Sequence, residues 1–200
     1  MTSVALIVIS DGRQDYLTRT LLSAAKNLPP VDHVIHVDDS AHDLGFAGAT
    51  QAPWDAALGT DSTRLFHLEG DFTLDRPVPL RPMLSILHVC PYLVQIALLR
   101  QPWNDAERAA GGIWQQHPDS YKPVTVGPGV QWLEHRRFFT TNPSLYPRWV
   151  AERGWPQQRH SEGVFGLNLF GEDPARRAAF WGDGSEWVTH IGDERHGHGY

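Results

Sequence analysis

One cysteine, Cys90, occurs in 200 residues. A single thiol excludes an internal disulfide framework and a four-cysteine zinc site, and it points to a reducing compartment. Long apolar runs are missing as well. The longest, Val4 to Ile9, falls far short of the roughly 20 residues a membrane span needs. No basic start followed by an apolar stretch and a small-residue cleavage site opens the chain, so no signal peptide and a cytoplasmic location are expected. Positive charge is in deficit, with 17 Lys+Arg against 23 Asp+Glu and a net charge of −6. That balance argues against generic, salt-driven binding to nucleic acid, though not against a local basic patch. No internal repeat, low-complexity segment or linker divides the chain. What is present fits a globular protein: 41% hydrophobic residues with 20% charged, over a length that supports one domain with a buried core. Eight Trp and eleven His stand out, both types being common in polar ligand sites.

Val4 to Ile9 is short, continuous and rich in β-branched residues, the pattern of a buried parallel strand. Ser10-Asp11-Gly12-Arg13 breaks it. Leu17, Leu21, Ala24 and Leu28 then fall at helical spacing, with Asp15 as the expected N-cap and Pro29-Pro30 as the stop. Val31 to Val37 reads as a second strand closed by Asp38-Asp39-Ser40, which makes a β-α-β unit. Gly45 to Leu58 reads as a close-packed helix despite Pro53, Arg64 to Leu68 as a third strand ending in Glu69-Gly70-Asp71, and Pro82 to Cys90 as a helix. Leu93 to Leu99 is a further strand. Gln101 to Pro128 is expected to form long loops, Ser144 to Arg153 a short helix, Ser161-Glu162 the start of another with Ser161 as N-cap, and Glu186 to Ile191 a last strand.

In open parallel α/β sheets, ligands bind beyond the carboxyl ends of the strands. Three polar clusters sit at such ends: Ser10 to Arg13, Asp38 to Ser40, and Glu69 to Asp71. Carboxylates that meet in one crevice repel unless a cation or ligand donors neutralise them. Hard divalent cations suit one or two carboxylates plus substrate phosphates. The residues alone therefore point to a Mg²⁺- or Mn²⁺-assisted phosphate-ester site.

The order of these parts resembles the GT-A-fold glycosyltransferases, close to the family 2 type. The matching stretches are Val4 to Arg13, Leu17 to Ser23, Val37 to Ser40, Gly45 to Ala57, and Leu68 to Phe72, the last standing for an Asp-x-Asp motif. In the second half, Arg100-Gln-Pro-Trp103, Trp132-Leu-Glu-His135, Asn142-Pro-Ser-Leu145 with Pro147-Arg148, Gly154-Trp-Pro156, Ser161-Glu162 and His190-Ile-Gly-Asp193 resemble a small phage-encoded branch. The resemblance implies one α/β domain over residues 1–200. Its central, mostly parallel sheet would be flanked by helices, with a nucleotide-sugar half over 1–100 and a loop-rich acceptor half over 101–200.

The roles the resemblance implies are specific. Asp11 and Asp39 contact the base and ribose of a sugar nucleotide, most often a UDP-sugar, with Arg13 nearby. Asp71 binds the Mn²⁺ or Mg²⁺ that bridges the diphosphate, and His190 completes that site. Glu69 stands where the family has Asp and serves ribose or metal. Glu162 is the general base of an inverting transfer. The first turn departs from the family's Pro-x-Tyr-Asn form, which weakens the match at Asp11. The acceptor is macromolecular: a phage virion protein or hypermodified phage DNA, in the cytoplasm of the infected host, with no membrane involved.

Blander readings stand beside these. Asp39 and Asp71 also suit turns, and Glu162 also suits a helix N-terminus. Glu134 is the rival base, and His196 and His198 are rival ligands. Trp103, Trp132 and Trp155 either stack on rings of the ligand or pack internally. Arg136, Arg137, Arg148, Arg153 and Arg159 are either a phosphate patch or solvated surface. Cys90 reads as inert packing, and His67 and His88 as packed or surface residues. Gly127-Pro-Gly129 lacks the strand and Lys of a phosphate loop. Two other function classes remain: a degenerate transferase that only binds nucleotide or glycan, and a metal-dependent nucleotide hydrolase.

Overall fold

The structure, a computed structural model, describes residues 2–41 and 44–192. β1 (Val4–Ser10) carries the apolar run, and α1 (Gln14–Asn27) follows the turn at Gly12. β2 (His33–Asp38) returns parallel to β1, with Ser10 opposite Asp38, so the β-α-β unit is present. α2 (Gly45–Leu58) keeps Pro53 inside it. β3 (Arg64–Glu69) lies on the other side of β1, also parallel, with Ile9 opposite Glu69. β4 (Phe72–Leu74), α3 (Leu80–Val89) and β5 (Leu93–Ala97) follow. The rest of the chain supplies α4 (Asp105–Ala110), β6 (Lys122–Gly127), β7 (Val130–His135), β8 (Ser144–Pro147), α5 (Arg148–Ala151), α6 (Ser161–Gly171), β9 (Arg177–Trp181) and β10 (Val188–His190).

The main sheet runs in the order β2-β1-β3-β8-β5-β9-β7-β6. Only β7 and β8 run against the other strands of this sheet, which is therefore mostly parallel in direction, as expected. Strand alternation divides the core. Val4, Leu6 and Val8 of β1 face Leu17 and Ala24 of α1 and Met83, Ile86 and Leu87 of α3. Ala5 and Ile7 face the other way, among Trp54, Val150, Phe165 and Leu169 from α2, α5 and α6. Helices thus cover both faces of the sheet.

Several local expectations are corrected. The stretch read as loops holds α4 and β6, and β6 pairs with β7 as a hairpin at the sheet edge. Gly127-Pro-Gly129 is the turn of that hairpin, with Gly129 at φ 72°. Ser144 to Pro147 is strand, with helix only from Arg148, because the residue before a proline is pushed to extended backbone. Ser161 is not the N-cap of α6. His160 precedes the helix in left-handed backbone at φ 55°, and the Ser161 hydroxyl accepts the indole N–H of Trp155 at 2.8 Å. Asp15 lies inside the first turn of α1, not at its cap. Leu21 is exposed, and α1 buries Thr20 and Asn27 in its place.

Two buried histidines give the fold a pH dependence. His67 lies among the core side chains with its ring against Tyr146, and burial pushes its pKa down to about 4. His135 sits among the rings of Tyr121, Phe138 and Phe180. Burial, and then the charge of Arg137, push it to about 3. Unfolded, both titrate near 6.5. Below that pH the unfolded chain takes up protons that the folded chain refuses, so stability is lost as pH falls from 6.5 toward 4. The expected slope is about 1.4 kcal/mol per pH unit for each histidine. Urea midpoints at pH 5 and 7 check this: the midpoint should be lower at pH 5, with a smaller gap in His67→Leu.

Candidate active site

The parallel register of β2, β1 and β3 brings Asp38, Ser10 and Glu69 to one edge of the sheet. The turn after β3 is packed against β1. Gly70 N–H donates to Ile9 O at 2.6 Å, and a Cβ at Gly70 would stand 2.9 Å from that oxygen. The polar stripe of α1 fastens the same turn. Thr20 Oγ1 donates to Gly70 O at 2.9 Å, and Ser23 Oγ accepts from Leu74 N at 3.0 Å. Gly70→Ala is expected to cost about 1–3 kcal/mol by overpacking and to shift Asp71. Chemical denaturation gives the first effect, and a weaker donor affinity would report the second.

Asp11, Arg13, Asp39, Glu69 and Asp71 line one open cleft at the strand ends. Five of the seven predicted site residues therefore meet. Arg13 joins two of the carboxylates. Its Nε donates to both oxygens of Asp11 at 2.9 Å, and its Nη2 donates to Asp71 Oδ2 at 2.8 Å. Burial works against the Arg13 charge, but the bonds to Asp11 and Asp71 outweigh it and raise its pKa. Asp39 Oδ1 accepts Leu44 N at 2.7 Å, so this residue does hold its loop as the blander reading had it, while still facing the cleft.

His190 is not among the residues that line the cleft, but strand pairing brings it beside Asp71. β10 runs antiparallel to β4 with His190 opposite Phe72, and Ile191 N donates to Asp71 O at 2.7 Å. His190 Nε2 stands 3.3 Å from Asp71 Oδ2. Its ring lies between Phe72 and Trp103, with centroids at 4.6 and 4.2 Å. Gln101 fixes the backbone from both sides: its Nε2 donates to His190 O at 2.8 Å, and its Oε1 accepts His190 N at 2.9 Å. A side chain at Gly192 would collide with the Asp71 carboxylate, so the chain must stay bare there.

A divalent ion is consistent with this pair. Neighbouring ligand atoms on an octahedral ion with bonds of about 2.1 Å stand about 3 Å apart, close to the spacing found. Among the described residues His190 Nδ1 is buried without a hydrogen-bond partner. Among the described residues no three His, Cys, Asp or Glu side chains form a complete cage. An ion here would depend on water or substrate oxygens for its other ligands.

Glu162, in the first turn of α6, is not among the residues that line the cleft. The residue is partly exposed, but its carboxylate turns inward. Oε1 accepts from Thr141 N at 2.7 Å and from Thr141 Oγ1 at 3.1 Å. Burial raises its pKa; the bonds from Thr141 and Thr140 and the charge of Arg100 oppose that rise. Arg100 is itself paired with Glu107 at 2.7 Å, and Glu107 also accepts Trp103 N at 2.7 Å. One braced segment, residues 100–107, therefore holds Arg100 where its charge is felt by Glu162 and sets Trp103 on His190.

Most of the rival residues that are described are engaged elsewhere. Glu134 Oε1 accepts Tyr92 OH at 2.7 Å and Trp132 Nε1 at 3.0 Å. Trp132 and Trp155 are core residues, whereas Trp103 is 39% exposed. Arg136 and Arg176 donate to the carbonyls of Phe170 and Leu169 at the end of α6, and Arg148 donates to Leu58 O at the end of α2. His67 is buried, and His88 and Cys90 sit at the end of α3, His88 exposed and Cys90 half-buried. His196, His198 and Asp193 lie outside the described residues. Gln101 and Thr141 have no signal of their own in the sequence, although Gln101 stands within Arg100-Gln-Pro-Trp103.

No protein-family model and no curated protein sequence matches the chain. Solved structures do. The fold is similar to that of TarS residues 1–349 from S. aureus, at TM-score 0.59 and 13% identity over 95% of this chain and 60% of that one. It is similar to GalNAc-T7 with UDP, GalNAc and Mn²⁺, at TM-score 0.63 and 12% identity over 96% of this chain and 44% of that one. It also matches A197 from STIV, at TM-score 0.55 and 10% identity over 94% of this chain and 83% of that one. The fold is GT-A. This chain spans 60% and 44% of the lengths of the first two proteins. The GT-A fold is the one that the order of motifs resembled, and its likeness extends over both halves of the chain.

Proposed function

We propose that this protein is a metal-dependent glycosyltransferase that moves a sugar from a nucleotide donor to a hydroxyl on a macromolecular acceptor. The observation that carries the reading is the convergence of Asp11, Arg13, Asp39, Glu69 and Asp71 in one cleft at the strand ends, with His190 at 3.3 Å from Asp71. The bound UDP, GalNAc and Mn²⁺ of GalNAc-T7 support the donor and cofactor classes. A UDP-sugar with Mn²⁺ or Mg²⁺ is the favoured combination.

Each residue has a proposed role. Asp11 and Asp39 accept hydrogen bonds from the base and ribose, and Glu69 takes ribose or metal. Asp71 and His190 would hold the divalent ion, which supplies positive charge where the diphosphate leaves. Arg13 adds a guanidinium, whose planar fork suits phosphate oxygens. The acceptor hydroxyl is a poor nucleophile, and Glu162 removes its proton as the glycosidic oxygen forms its new bond. One in-line displacement with this base would invert the anomeric centre. Residues 1–100 form the donor half and 101–200 the acceptor half.

The acceptor reading favours a phage virion protein over hypermodified DNA. The net charge of −6 and the use of arginines as partners of helix-end carbonyls both weigh against a phosphate-backbone surface. Cytoplasm of the infected host is the matching location. A nucleotide-binding protein without turnover is the second reading, favoured by the incomplete ligand set among the described residues. Hydrolysis of a panel of sugar nucleotides with Mn²⁺, Mg²⁺ or chelator separates them. Release of nucleoside diphosphate from one donor, lost with chelator, is expected. Release from many nucleotides without sugar preference would favour a hydrolase instead.

A further inference from the structure

Arg13 occupies the atom on which a divalent ion would depend. Asp71 Oδ2 accepts Arg13 Nη2 at 2.8 Å and stands 3.3 Å from His190 Nε2. An ion between Asp71 and His190 needs that oxygen, and it would approach the guanidinium with like charge. Arg13 is also anchored independently of Asp71. Its Nε and Nη2 lie 2.9 Å from Asp11 oxygens, and its guanidinium carbon lies 4.4 Å from the centroid of the Tyr16 ring. It can leave Asp71 and remain held at the cleft.

We propose that Arg13 is an exchangeable counterion. Without donor it pairs with Asp71 and neutralises the carboxylates in place of a metal. When the divalent ion and the nucleoside diphosphate arrive together, the guanidinium moves from Asp71 to the phosphate oxygens. Asp11 and Tyr16 retain it through the exchange. This inference rests on the metal and nucleotide reading of the cleft. It assigns Arg13 two successive partners, and it makes metal and donor binding mutually dependent. The ion binds weakly to the empty protein because it must displace Arg13. It binds tightly with the nucleotide because the displaced charge then has a phosphate to meet.

The test reads Mn²⁺ binding, not turnover. Free Mn²⁺ is titrated by electron paramagnetic resonance against wild type, Arg13→Gln and Arg13→Lys, each with and without UDP. Without UDP, Arg13→Gln is expected to bind Mn²⁺ at least about tenfold tighter than wild type. The gain in Mn²⁺ affinity that UDP gives wild type should be smaller in Arg13→Gln, where ligation by the phosphate oxygens remains but the release of Arg13 no longer contributes. Arg13→Lys keeps the positive charge, so it should resemble wild type without UDP, and it guards against a result that reflects misfolding of the uncharged variant. Mn²⁺ affinity that is unchanged or weaker in Arg13→Gln would overturn the proposal, as would no Mn²⁺ binding by any of the three. If the Mn²⁺ result holds but no sugar nucleotide is turned over, the exchange stands and the transferase reading fails. If a sugar nucleotide is turned over while the three proteins bind Mn²⁺ alike, the exchange alone fails.

Discussion

Asp71→Asn is expected to lower sugar-nucleotide turnover at least about 10²-fold and to abolish the metal dependence of donor binding. The substitution keeps the side chain's size and removes its charge. It takes away the negative charge that faces both His190 and Arg13. The fold around it should persist. Residue 71 is tied to β10 through its backbone oxygen, which accepts Ile191 N, and the neighbouring turn is held by Thr20 and Ile9. Circular dichroism should therefore match wild type while steady-state release of nucleoside diphosphate collapses. Equal turnover in the two proteins would remove Asp71 from the active site.

Glu162→Gln should separate chemistry from binding. The amide oxygen can still accept from Thr141, so the helix start is preserved, but the base is gone. Transfer to acceptor is expected to fall by about 10²–10⁴ while donor affinity stays the same. Stability should move the other way. Burial raises the Glu162 pKa above its ordinary value, so the folded state holds its proton more tightly than the unfolded one does. The favourable contribution is present at low pH and lost as pH rises through the folded pKa. At pH 7 the ionised carboxylate is thus a cost that Gln removes. The variant should melt at or above the wild-type temperature at pH 7, with a smaller gap at pH 4. The wild-type rate should rise with pH through a value above 4.5, as Glu162 loses its proton. A variant with unchanged transfer would move the base elsewhere.

The strand ends were legible because each joins a continuous apolar run to a polar turn. Val4 to Ile9 and Arg64 to Leu68 carry this pattern, and their partners in a parallel sheet follow from a helix of the right length between them. Asp11, Asp39, Glu69 and Asp71 could be brought together on that ground alone. The second half was harder. β6 contains Pro123 and polar residues, a composition that suits an edge strand but does not announce one. β9 reads Arg-Ala-Ala-Phe-Trp, with no β-branched residue and no alternation to mark it as a strand, and β8 has Tyr146 held extended by Pro147. The position of His190 depends on a pairing with Phe72 across more than 100 residues, which no local pattern encodes. Here the motif order supplied the residue and the strand register supplies the contact. The Arg13 bridge and the Gln101 clamp are side-chain arrangements, and only coordinates reveal them. Thr20 and Asn27 of α1 look like interruptions of an apolar stripe, yet Thr20 fastens the turn that carries Asp71 and Asn27 fastens the end of β4.

The most direct test of the central claim is donor binding itself, read as thermal stabilisation by a panel of nucleotide sugars with Mn²⁺ or with chelator. One nucleotide sugar at about 100 times its Kd should raise the melting temperature by about 5–10 °C with Mn²⁺ present and by much less with chelator. Asp71→Asn should lose that difference. If no nucleotide sugar stabilises the wild-type protein with Mn²⁺, the strand-end cleft is not a donor site and the account is contradicted.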